Sequence, residues 1–73
     1  MGLFSFFSES KDDKRKKLNE QIKNAQRVIK GYKSNIEGYK RQGSPAYLID
    51  GAKKNILTQE KQIKRLEEEI KNL

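Results

Sequence analysis

From Leu18 the apolar residues advance by four and three in alternation: Leu18, Ile22, Ala25, Ile29, Tyr32, Ile36, Tyr39. A mean step of 3.5 residues keeps them on one stripe of a helix, a heptad seam with the isoleucines at a and the others at d. A second run repeats the pattern: Ile49, Ala52, Ile56, Gln59, Ile63, Leu66, Ile70 and Leu73. Gln59, at d, is its one polar member and reads as a register-setting residue.

Between the seams stands Gly43-Ser44-Pro45. Glycine suits the left-handed residue just past a helix end, serine the N-cap, and proline the first helical position. Upstream, Ser10 followed by Asp13 approximates a capping box. These signals predict a helix over 10–42, a turn at 43–45 and a helix over 45–73, preceded by a separate segment 1–9.

In an antiparallel pair an a residue faces a d residue, so facing residue numbers share a constant sum. Tyr39 with Ile49, Ile36 with Ala52, Tyr32 with Ile56, Ile29 with Gln59, Ala25 with Ile63, Ile22 with Leu66 and Leu18 with Ile70 give the same sum, centred on Ser44. Seam and turn thus locate one hairpin independently. The predicted fold is all-α, an antiparallel two-helix coiled-coil hairpin. One narrow buried stripe is little for a chain of this size, so association into a four-helix bundle or a larger homo-oligomer is expected.

The two flanks of the seam differ. Positions g and c on one side, between residues 21 and 62, carry no charge: Gln21, Asn24, Val28, Gly31, Asn35, Gly38, Gln42, Leu48, Gly51, Asn55, Thr58 and Gln62. A glycine inside a solvated helix costs about 1 kcal/mol relative to alanine. Three on one uncharged flank predict a surface that another backbone approaches closely. The expected oligomer interface is therefore Val28, Gly31, Asn35, Gly38, Leu48, Gly51 and Asn55.

The other flank is basic. Residues 11–42 hold eleven basic and four acidic side chains, whereas 46–73 hold six and five. The net charge of +7 is thus concentrated on the first helix, and such local excess points to an anionic partner. Glu67, Glu68 and Glu69 offset the lysines near the amino end. The least neutralised patch lies towards the turn, with Arg27, Lys30, Lys33, Lys40, Arg41, Lys53 and Lys54 as the expected anion-binding set. Glu37 is expected to pair with Lys33 or Arg41, four residues away. Lys33 and Lys53 occupy facing e positions, a like-charge pair that a bound anion would relieve.

Composition narrows the chemistry. The 73 residues include no Cys and no His, which removes thiolate and imidazole chemistry and leaves no soft metal ligand set. No strand or glycine-rich phosphate loop is indicated, and a two-helix hairpin has no water-excluding pocket. The expectation is a protein that is not an enzyme and uses no cofactor and no metal. Asn and Gln lie on the uncharged flank and only Tyr47 is an exposed-looking aromatic. Any nucleic-acid or nucleotide binding by the basic flank would be weakly sequence-specific.

The one strongly apolar run is MGLFSFF. It is too short to span a bilayer, its charges follow rather than precede it as in a signal peptide, and Phe6 stands where a myristoylation signal needs Ser or Thr. The segment 1–9 reads as either loose or in contact with a membrane or partner through Leu3, Phe4, Phe6 and Phe7. Apolar residues followed by Lys11, Lys14, Arg15, Lys16 and Lys17 fit the two-signal logic of peripheral attachment. The expected location is cytoplasmic, peripheral to the inner membrane face. The functional expectation is a self-associating interaction module that engages an anionic partner, with nucleic-acid or nucleotide binding as the alternative.

Overall fold

A computed structural model describes residues 10–73 as two α-helices that pack against each other as a hairpin, α1 (Lys11–Gln42) and α2 (Ala46–Lys71). The segment 1–9, with Leu3, Phe4, Phe6 and Phe7, lies outside the described residues.

Helix α1 begins where its cap predicts. Ser10 has extended backbone geometry, and its hydroxyl oxygen accepts the Asp13 N–H at 3.1 Å. Asp12 and Asp13 in the first turn and Lys40 and Arg41 in the last complement the helix dipole. The helix closes on Gly43, whose φ of 66° is the only positive φ among the described residues. There the Gly43 N–H donates to the Lys40 carbonyl and the Ser44 N–H to the Tyr39 carbonyl. This is the paired pattern of a Schellman motif.

The turn departs from expectation at one residue. Ser44 was expected to cap α2, with Pro45 as its first helical residue. Instead Ser44 is spent on closing α1. Pro45 is extended (ψ 144°) and itself occupies the N-cap position, without a side-chain capping bond. Its carbonyl accepts the Leu48 N–H at 3.1 Å, so α2 starts at Ala46. At the far end α2 stops at Lys71, two residues short of the expected 73, and the Asn72 N–H closes it onto the Glu68 carbonyl.

All the seam positions of both helices are buried or half-buried, Gln59 included. Among the described residues only Gly38, Ser44 and Leu48 join them; everything else is exposed. The core is thin. Ala25, Ile36, Ala52 and Leu66 are buried, and no described side chain is fully enclosed. No described helix is long and apolar enough to cross a membrane.

Candidate functional site

The 3.5-residue seam that holds the helices together sorts the remaining side chains onto two surfaces. On the uncharged side, residues of both helices line one shallow groove of about 230 Å³: Tyr32, Asn35 and Tyr39 from α1, and Tyr47, Leu48, Gly51, Ala52 and Asn55 from α2. None carries a charge. Of the expected interface set, the groove brings together Asn35, Leu48, Gly51 and Asn55. Val28 lies outside it and is 42% exposed, large for an aliphatic side chain. Thr58, exposed on the same flank, donates its hydroxyl to the Lys54 carbonyl at 3.1 Å.

The glycines here are not required by the hairpin. A Cβ placed on Gly31, Gly38 or Gly51 would meet nothing within 4 Å. Only Gly43, with its left-handed backbone, is explained by the chain's own geometry.

On the basic side, Arg27, Lys30, Lys33, Lys40, Arg41, Lys53 and Lys54 are all exposed. Glu37 engages Arg41 at 3.9 Å, both side chains being more than 70% exposed. A pair so open to water binds weakly and leaves most of the local positive potential in place. Lys53 and Lys54 share a groove of about 500 Å³ with Tyr47, Asp50, Gly51 and Leu57. Nearer the open end, outside its uncharged stretch, the g and c flank itself carries charge: Lys14 and Lys17 share a groove with Gln21 and Glu69, which brings carboxylate charge to the lysine-rich start of α1.

Leu57 was not anticipated. It is 55% exposed at a b position, on the basic side, and with Tyr47 (71% exposed) gives that side an apolar component. Its signal in the sequence is the pair Ile56-Leu57, where the seam needs only the first. The described residues contain no group of three acidic, His or Cys side chains placed to hold a metal. No family model, no curated protein and no solved structure matches the chain.

Proposed function

We propose that this chain is a non-enzymatic interaction module. In this reading it is an antiparallel two-helix coiled-coil hairpin that associates with further copies of itself, as a four-helix bundle or larger assembly, and engages an anionic partner through its basic side. The observation that carries the reading is the thin core: among the described residues four are buried and none is fully enclosed, in a hairpin with one flank that is uncharged between residues 21 and 62. A single core in so small a chain rarely supplies more than about 3–5 kcal/mol, and oligomerisation is a common supplement. Two copies that each carry +7 repel through their lysines, so the uncharged flank is where they meet at least cost.

The anionic partner is a lipid surface in the version best supported. Exposed Tyr47 and Leu57 interleaved with Lys53 and Lys54 combine apolar contact with positive charge, the pairing that peripheral membrane attachment uses. The alternative, weakly sequence-specific binding of nucleic acid or a phosphorylated nucleotide, draws on one observation. Tyr47 is 71% exposed beside two lysines, an arrangement on which a base can stack. Light scattering tests association. Binding to anionic lipid vesicles and to single-stranded RNA, each at two salt concentrations, tests the partner. A monomeric mass together with no binding to either would overturn the reading.

A further inference from the structure

The seam divides the exposed residues of the hairpin between two broad sides, and each helix contributes to both. On one side lie the g and c positions, uncharged between residues 21 and 62. On the other lie the e and b positions. Over the matching stretch, 23–40 of α1 and 50–64 of α2, that side carries Lys23, Lys30, Lys33, Lys40, Lys53 and Lys64 against Glu37, Asp50 and Glu60, all exposed. Glu37 already engages Arg41. One aliphatic side chain stands among these charges. Leu57, 55% exposed, borders two grooves, one shared with Lys53 and Lys54 and the other with Glu60, Lys61 and Lys64. In the hairpin register its level on α1 falls between Lys30 and Lys33.

We propose that the hairpin lies flat on an anionic lipid bilayer by this e and b side, its long axis in the membrane plane, with Leu57 entering the headgroup layer among the lysines. The proposal rests on the lipid-surface reading above and specifies which side makes the contact. Charge complementarity selects the side. Its lysines outnumber its carboxylates two to one, whereas the opposite side offers an anionic plane no charge at all over the same stretch. Attraction to a lipid surface falls off within a Debye length, so lysines spread over one side act together only when that side lies flat. Their alkyl stems can run along apolar surface while the ammonium groups reach phosphate. Leu57 supplies the apolar contact that electrostatic attraction alone lacks. Lys33 and Lys53, at facing e positions, repel each other in the free chain, and lipid phosphates beside them offset that repulsion.

A single nucleic-acid strand is the competing occupant. A strand tracks a line of charge and stacks its bases on planar side chains. The lysines here come from both helices and cover an area, and no aromatic residue holds an e or b position in this stretch, Tyr47 being at f. Among them stands an aliphatic side chain, which a bilayer accepts and a phosphate backbone does not. Docking by this side also leaves the uncharged side clear, so the two contacts proposed for the chain do not compete.

The test uses the full chain, which has no native cysteine. Gln26→Cys and Asn24→Cys, prepared separately, mark the two sides of α1 at exposed, uncharged positions outside the proposed lysine and leucine contacts. Each is labelled with a polarity-sensitive fluorophore and mixed with vesicles of phosphatidylcholine alone, or of phosphatidylcholine and phosphatidylserine in equal parts. The expected result is a blue shift and brightening at position 26 on the anionic vesicles only, with position 24 unchanged throughout. Leu57→Gln should weaken cosedimentation of the unlabelled chain with anionic vesicles about fivefold, less than a full leucine burial because the side chain is partly packed already. A response at position 24 instead, at both positions or at neither, with cosedimentation of the unlabelled chain intact, would overturn the flat orientation and leave the lipid reading standing. Parental cosedimentation of Leu57→Gln would overturn the place given to Leu57 in the contact. No cosedimentation of the parent chain with anionic vesicles would overturn the lipid reading and this inference with it. Binding of single-stranded RNA by that same chain would then give the side to nucleic acid.

Discussion

The Ser44 amide donates to the Tyr39 carbonyl at 2.9 Å, across Gly43 with its φ of 66°. This bond turns the chain out of α1, and it forms because glycine enters the left-handed region without a Cβ penalty. Substituting Gly43→Ala is expected to destabilise the hairpin by about 1–2 kcal/mol, the cost of that conformation for an L-residue. The added methyl would meet nothing within 4 Å, so the whole effect is backbone strain. Denaturant unfolding measures it, and a stability equal to the parent would mean that the turn closes some other way.

Gly51→Ala should act in the opposite sense on the isolated hairpin. Gly51 is exposed inside α2 with open space above it, and alanine there removes a helix penalty of about 1 kcal/mol. On a face packed closely against another copy, however, the same methyl is in the way. The expected outcome is a higher melting temperature at low concentration together with weaker association at high concentration. Thermal melts across a dilution series separate the two. A gain in stability at every concentration would mean that the flank is simply solvated.

The thin core makes single truncations severe. Ile36 and Ala52 are both buried, and a core Ile→Ala change costs about 2–5 kcal/mol. That is comparable to the whole stability expected of a core this small. Ile36→Ala should therefore lose most of its helical circular dichroism at 25 °C in dilute solution and recover part of it on concentration. Gly38→Glu and Asn55→Lys, by contrast, should keep the helices and lose the oligomer, because they place charge in a close contact without touching the seam. A parental mass for both variants would argue for another interface.

The hairpin was legible because a periodic signal and a turn signal, Ile49 onward and Gly43-Ser44-Pro45, agreed on its midpoint. A heptad pattern reports which residues leave water, and these are the seam residues observed as buried or half-buried. The role of Ser44 was not legible: serine serves equally as an N-cap and as the residue that completes a glycine-closed helix end, and only backbone geometry distinguishes them. Leu57 escaped notice for a related reason. A reading that follows a and d positions passes over an apolar residue at b, and its significance rests on how exposed it is. The uncharged flank was visible as a pattern. What it is for is not written in the hairpin itself, since among the described residues nothing beyond the glycines' own helical backbone lies within 4 Å of a Cβ placed on Gly31, Gly38 or Gly51.

The anionic partner separates into two cases by what is removed. If the chain holds a lipid surface through apolar insertion, deleting residues 1–7 should sharply weaken binding to anionic vesicles, because polybasic attraction without insertion is weak and salt-sensitive. Leu57→Gln should weaken it further, since its exposed side chain adds apolar contact beside Lys53 and Lys54. RNA binding, which rests on lysine and arginine, should be unaffected by either change. If the basic flank near the turn instead holds nucleic acid, changing both Lys33 and Lys53 to Gln should weaken RNA binding and flatten its salt dependence. Each lost contact with single-stranded RNA lowers the log–log slope by about 0.7. That double substitution also removes the expected like-charge pair at facing e positions, so the free hairpin should become slightly more stable. Cosedimentation with vesicles and filter binding of RNA, for the three variants at two salt concentrations, decide between the cases. Unchanged binding to both ligands in all three variants, with a lower stability for the double substitution, would defeat the electrostatic argument and leave the lysines serving solubility alone.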